Sequence, residues 1–141
     1  NVNDVIRAAF PQTQYYNDIR LVLTNPSVTL GPADDDVTMN VRIEASRGSE
    51  NLLAEGKLNG LLTYRPDRKE LQIEKPSLVN FNVLDNKMKD SDGLINGIRQ
   101  MQGKPLPVIL LVDFTQINLP IFGNQLPRRI DITNSQLVIE I

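Results

Sequence analysis

The feature that most constrains this chain is a strict alternation of apolar and polar side chains at residues 37–46. A helix repeats every 3.6 residues and does not produce such a pattern, whereas successive side chains of a strand point to opposite faces. The apolar positions are Val37, Met39, Val41, Ile43 and Ala45. The segment therefore predicts a long strand with one apolar face and one face toward solvent.

The same period of two continues over residues 54–65 and 71–83, which predicts further strands of about 10 to 15 residues. Strands in globular proteins usually have about 5 to 6 residues. In the second segment the inward positions are expected to keep one phase from Leu71 to Val83, with Lys75 beside Pro76 as the charged exception. The glycines and prolines inside these strands favour bulges and strong coiling over a flat sheet.

Two segments are predicted to be helical. The first ten residues place their apolar side chains on one stripe, and Pro11 ends it. From Ser91 to about Gln116 the apolar spacing suits a helix, with a second helical piece starting near Pro105 after an interruption. The β-branched residues there make a strand equally compatible by propensity, and helix is the favoured interpretation.

A long alternating segment at 19–30, interrupted at Asn25 and Pro26, and short ones at 117–121 and 130–141 complete the chain. The expected fold is α+β, in one domain spanning residues 1–141. A long, highly curved antiparallel sheet wraps around the late amphipathic helix, and a short helix precedes it. Small residues at Ala54, Gly56 and Gly60 leave space on the inner face. That space either admits the helix closely, which is favoured, or forms a ligand channel.

Composition excludes several classes of function. The chain has no His and no Cys, which removes the commonest general base and the thiolate nucleophiles and metal ligands. Fifteen basic and 17 acidic residues leave a net charge of −2, so no nucleic-acid partner is expected. The longest apolar run, residues 108–112, is far shorter than the roughly 20 residues of a membrane span. We expect a monomer without catalytic residues, metal or cofactor.

Three stretches, 19–25 (IRLVLTN), 118–122 (NLPIF) and 130–139 (IDITNSQLVI), resemble the YceB-like lipoproteins of Gram-negative bacteria. The order of elements is similar over almost the whole chain. The resemblance implies a tubular lipid-binding (TULIP-like) fold, in which lipid tails lie between a long helix and a curved sheet. It also implies a periplasmic location and attachment to a membrane through a lipidated cysteine. The chain begins with Asn1 instead of Met, which is expected if a leader or anchor was removed.

The candidate binding site is an apolar groove on the inner face of the sheet. Its expected lining is Val41, Ile43, Leu58, Leu62, Val79, Phe81, Ile98, Met101, Leu106 and Ile109. For each of these residues alone, ordinary core packing is the preferred interpretation.

Polar and aromatic candidates have simpler interpretations. Asp34, Asp35 and Asp36 lack the ligand spacing of a calcium loop, and a solvated turn is preferred. The basic residues Arg65, Arg68, Lys69, Arg128 and Arg129 could meet a phosphate or head group, but charged loops are preferred. Tyr15 and Tyr16 could border a membrane or pocket, and loop packing is preferred.

The leading functional hypothesis is non-catalytic binding or transfer of a lipid or other hydrophobic ligand in the cell envelope. The alternative is a structural or protein-interaction domain of the envelope, with a filled core and no ligand. An enzyme is not expected, because no two carboxylates have a persuasive placement for acid and base.

Overall fold

A computed structural model describes residues 2–85, 92–116 and 126–141 of the chain. Two helices and eight strands are present in these ranges. The elements are α1 (Val2–Arg7), β1 (Gln12–Tyr16), β2 (Ile19–Leu30), β3 (Asp36–Arg47), β4 (Glu50–Arg65), β5 (Glu70–Asp85), α2 (Asp92–Gln100), β6 (Ile109–Asp113), β7 (Arg129–Thr133) and β8 (Gln136–Glu140).

Strands β1 to β6 form one antiparallel sheet in which neighbours in sequence are neighbours in space. The longest strands, β4 and β5, have 16 residues each and would extend over about 50 Å if straight. Strands of this length coil, and the sheet curls until β6 comes back toward β1. The result is a nearly closed, barrel-like sheet with β7 and β8 as a separate hairpin.

The inner face of the sheet carries the hydrophobic core. In β3 the alternation predicted from the sequence is confirmed, since Val37 through Ala45 are buried at every second position. The same holds along β4 from Leu52 to Leu62. Ile6 of α1 and Leu94 of α2 belong to the same buried cluster, so both helices cover parts of this face.

Strand β5 departs from the predicted single phase. Its register with β4 shifts between Asn59 and Leu61 and again between Lys57 and Leu58. Each shift inserts one extra residue into β5, so the inward phase reverses and then returns. Lys75 takes a positive φ of 49° next to the first shift, and Leu78 is buried while Val79 points outward.

The β7–β8 hairpin packs on the barrel through Asp35. The amide of Asp35 donates to the carbonyl of Ile132 at 3.2 Å, and the Asp35 carboxylate accepts from the amide of Ile132 at 3.0 Å. The carbonyl of Asp35 also accepts from the amide of Leu62 at 2.7 Å. One residue therefore joins the turn before β3 to both β4 and β7. The strands predicted around Ile130 and Leu137 are confirmed.

The predicted fold class is wrong in one central respect, because the sheet does not wrap around a long late helix and the fold is not TULIP-like. The described residues are mostly strand, and α2 ends at Gln100 after nine residues. Residues predicted as a second helical piece form β6, which pairs with β5 through Leu71↔Val112 and Ile73↔Ile109. The free edge of β5 provides hydrogen bonds that favour a strand, and Gly103 with φ 77° ends the helical path.

The end of α1 and the middle of β2 test two smaller predictions. The first helix ends at Arg7, earlier than the predicted stop at Pro11, and continues only as single turns. The interruption predicted at Asn25 and Pro26 is confirmed as a register shift between Thr24 and Ser27. The strand predicted at 117–121 lies outside the described residues.

Candidate functional site

The predicted groove residues come together on the inner face of the sheet, with one exception. Eight of the ten are buried in a single hydrophobic cluster: Val41, Ile43, Leu58, Leu62, Ile98, Met101, Leu106 and Ile109. Phe81 is half-buried and packs against this cluster. Val79 was expected to face inward, but it sits in the second bulge of β5 and is 52% exposed on the outside.

The small residues of β4 do not leave an open channel beside them. A Cβ added at Gly56 would lie 2.4 Å from Cδ1 of Ile43 and 3.2 Å from Cδ1 of Leu78. A Cβ added at Gly60 would lie 2.4 Å from Cγ2 of Ile73 and 2.9 Å from the carbonyl oxygen of Glu74. Side chains and backbone of neighbouring strands therefore occupy the space at these two glycines. The two interpretations predicted from the sequence, close approach of the helix and a ligand channel, do not apply there.

Helix α2 lies over the end of the sheet where β3 turns into β4. Leu94 and Ile98 are buried, Ile95 is half-buried, and the other face is mostly exposed. Its glycines allow close approach, since a Cβ at Gly97 would lie 2.8 Å from Cδ1 of Ile19. A Cβ at Gly93 would lie 2.8 Å from the guanidinium of Arg47.

The inner face at this end consists partly of small side chains. Ala45, Ala54 and Gly56 are buried here, and we call these three residues the trough. On the ladders, Ala54 lies opposite Ile43, and Gly56 lies opposite Phe81. The half-buried Phe81 and Ile95 are packed against the core. The side chains of Ala45 and Ala54 are short, whereas the space beside Gly56 is filled by the ends of Ile43 and Leu78.

The helix is held by packing more than by its own propensity. Isolated helices shorter than about 12 to 15 residues are marginal in water, and each glycine costs about 1 kcal/mol relative to Ala. Burial of Leu94 and Ile98 contributes roughly 1.5–3 kcal/mol for each side chain. The position of α2 therefore depends on a few apolar contacts with the sheet.

A charged pair borders α2. Arg47 and Glu50 face each other across the β3–β4 turn at 3.8 Å, and both side chains are 30% exposed. Among the described residues, Oε2 of Glu50 is buried without a hydrogen-bond partner. A pair of this length and exposure contributes little to stability. No pattern in the sequence distinguishes either residue.

The seam between β1 and β6 is closed by glutamine side chains. The Gln12 amide donates to the carbonyl of Leu110 and accepts from the amide of Leu110 at 3.2 Å. The buried Gln14 amide donates to the carbonyl of Val108 at 3.0 Å. Hydrogen bonds of these two side chains therefore join the two edges of the sheet in place of a backbone ladder. The only sequence signal was a glutamine at every second position of a short strand.

Three of the basic candidates form local ion pairs. Arg65 pairs with Asp67 at 3.5 Å, Arg128 with Glu140, and Arg129 with Asp131. Arg128 and Arg129 line an open cleft of about 380 Å³ between β4 and β7, but Asp35 and Asp131 line it too. The cleft therefore has no excess of positive charge for a phosphate.

The remaining candidates are the acidic residues at 34–36 and the two tyrosines, Tyr15 and Tyr16. Among residues 2–85, 92–116 and 126–141, no group of acidic side chains could hold a metal ion. Tyr15 is 61% exposed, and Tyr16 packs against the core.

Tyr64 makes contacts that no pattern in the sequence predicts. Its hydroxyl donates to the carbonyl of Pro127 at 2.6 Å, and its ring meets Phe114 edge to face at 5.9 Å. Burial raises the pKa of the Tyr64 hydroxyl, so the neutral form that donates this hydrogen bond is favoured. The contact attaches the chain before β7 to the end of β4 and indicates a structural role.

Neither helix in the described part of the chain is long and apolar enough to cross a membrane. No family model matches this chain, and a search of curated proteins finds no significant match. Functional inference therefore depends on the chemistry of the inner face and its cover.

Proposed function

We propose that this chain is a non-catalytic binding domain for a lipid or other hydrophobic ligand, acting in the bacterial cell envelope. The observation that carries the proposal is the apolar inner face near α2, where Ala45, Ala54 and Gly56 form a trough. A short helix with two buried side chains covers that end of the sheet. An alkyl chain is narrow and apolar, and it can take the position of this helix on the sheet.

The chemistry of the trough favours an alkyl chain over a polar ligand. Burial of one methylene contributes about 0.8 kcal/mol, so roughly ten methylenes contribute about 8 kcal/mol before the costs of binding. Ligand pockets are lined mainly by apolar groups with few polar ones. Phe81 and Ile95 supply additional half-buried apolar surface.

The resemblance to YceB-like lipoproteins supports the proposed location. Under this proposal the domain is periplasmic and is attached to a membrane by a lipid anchor that does not lie within residues 1–141. The ligand would then be a component of the envelope that carries an acyl chain.

A second candidate function is a structural or protein-interaction domain of the envelope that binds no ligand. The close packing at Gly56 and Gly60 favours it, because the sheet's own side chains fill the interior there. Exposed apolar side chains, such as Val138 at 51%, would then contact a protein partner.

Binding of a fluorescent fatty acid to the purified protein distinguishes the two functions. We expect saturable uptake by the wild-type chain and a loss of at least tenfold in affinity for Phe81→Ala. Val79→Ala is the matched control, because Val79 lies two residues away on the same strand but points outward. It should bind as the wild type does.

Extraction of lipid from the purified protein, followed by mass spectrometry, is the second measurement. A stoichiometric acyl species supports ligand binding. If no such species is found and the fluorescent fatty acid is not taken up, ligand binding is contradicted and the filled interaction domain is supported.

A further inference from the structure

Helix α2 can leave the sheet without breaking a strand ladder. The buried contacts of the helix come from Leu94 and Ile98. Its backbone hydrogen bonds run within the helix, whereas each neighbouring pair of strands from β1 to β6 is joined by a backbone ladder. Separation of α2 therefore costs packing but leaves the sheet intact.

The segment after α2 is fixed to the sheet. The amide of Gly103 donates to the carbonyl of Leu78 at 3.0 Å, and the amide of Leu106 donates to the carbonyl of Pro76 at 2.7 Å. Gly103 has a positive φ of 77°, and no neighbouring heavy atom lies within 4 Å of the position that a Cβ would take. This gives the helix a pivot at its C-terminal side.

We infer that α2 is a displaceable cover of the ligand site, and that an alkyl chain binds by taking the place of Leu94 and Ile98 over the trough. The inference rests on the proposed function and adds the route by which the ligand reaches its site. The fixed segment after α2 keeps the displaced helix close to the sheet. Ligand and helix therefore compete for the same apolar surface.

Thiol labelling tests the mobility of α2 without any ligand. The chain has no Cys, so Leu94→Cys and Leu58→Cys each introduce a single thiol at a leucine that is 0% or 2% exposed. We expect the thiol at position 94 to react at least tenfold faster than the thiol at position 58, because only α2 opens locally. Equal rates would mean that α2 opens only on global unfolding, which overturns the inference.

A disulfide tests the link to binding. In the double variant Ile19→Cys/Gly97→Cys, the Cβ added at position 97 lies 3.9 Å from the Cγ1 position of Ile19, near where the new sulfur sits. The Ile19 substitution also removes the Cδ1 atom that would clash at 2.8 Å. We expect the oxidised variant to take up fluorescent fatty acid at least tenfold more slowly than the reduced variant.

The outcomes separate the two proposals. Uptake by the wild type, with equal rates in the oxidised and reduced variants, overturns the role of α2 and leaves the proposed function in place. Absence of uptake by the wild type contradicts the proposed function and, with it, the ligand role of α2. Faster labelling at position 94, together with slowed uptake in the oxidised variant, supports both.

Discussion

Two glycines of β4 differ in what surrounds them. Next to Gly56, the atoms in closest approach are the ends of the Ile43 and Leu78 side chains, which can change rotamer. Next to Gly60, the carbonyl oxygen of Glu74 and the Cα of Pro76 belong to the backbone and cannot move independently. The need for glycine is therefore stricter at position 60.

We predict that Gly60→Ala lowers the free energy of unfolding by about 2–3 kcal/mol, in the upper part of the range for overpacking. Gly56→Ala should cost about 1 kcal/mol or less, because side chains adjust and Ala is the better strand residue. Urea unfolding measures both values. Equal costs for the two variants would contradict the distinction between backbone and side-chain contacts.

A rescue variant identifies the responsible contact at position 56. Ile43→Val removes the Cδ1 atom that an Ala at position 56 would meet. We expect the free energy of unfolding of the double variant to exceed, by about 1 kcal/mol, the value obtained by adding the two single effects. Simple additivity would show that another contact limits this site.

At the scale of elements, the sequence predicts strands where hydrophobic alternation is uninterrupted. Strand β3 is the clear case, because its inward residues are all apolar and its pairing with β4 has no register shift. Strand β5 is the counterexample, since its bulges depend on hydrogen bonding to β4 that periodicity does not report. Val79 was therefore placed on the wrong face.

The segment that forms β6 shows a second limit. Ile109 and Val112 are compatible with helix or strand by local propensity. The pairing with Ile73 and Leu71 decides for strand, and those partners lie more than 30 positions earlier in the chain. Tertiary hydrogen bonding of this kind has no local signal in the sequence.

The glutamine seam allows a prediction about one element contact. In Gln12→Leu, the amide and carbonyl of Leu110 lose their partner, which should cost about 1–2 kcal/mol of stability. Amide hydrogen exchange at Leu110 should become faster. Gln116→Leu is the control, because Gln116 is exposed and its substitution should change stability by less than about 0.5 kcal/mol. An unchanged rate of amide hydrogen exchange at Leu110 would contradict the role of Gln12 in closing the seam.

At the scale of the whole molecule, Asp35 couples the barrel to the β7–β8 hairpin. Asp35→Ala removes the acceptor for the amide of Ile132 and places Ala at a φ of 60°, so we predict a loss of about 2–3 kcal/mol. Asp35→Asn keeps an amide oxygen and tolerates this φ, so its cost should be below about 1 kcal/mol. Denaturation of both variants, with exchange of the Ile132 amide, measures the coupling. Equal losses of stability in Asp35→Ala and Asp35→Asn would show that the negative charge of Asp35 matters, and not its side-chain oxygen or its φ.

The inward orientation of the candidate residues could be predicted for β3 and β4, but the way in which they fill the interior could not. Alternation in β3 and β4 correctly placed Val41, Ile43 and Leu58 on one apolar surface. The degree of filling beside Gly56 depends on where Ile43 and Leu78 turn their side chains, which no pattern of residue types specifies. Helix α2 was predicted, but its short length and its position over the β3–β4 turn required the assembled sheet.

Chain order in the six-stranded sheet has a consequence for folding kinetics. Each ladder from β1 to β5 joins strands that are connected by only a few residues, so each closes a short loop at small entropic cost. The contact between Gln12 and Leu110 spans 98 positions and is therefore expected to form after the rate-limiting barrier. Loss of the Gln12 side chain should then accelerate unfolding while the rate of refolding stays nearly unchanged.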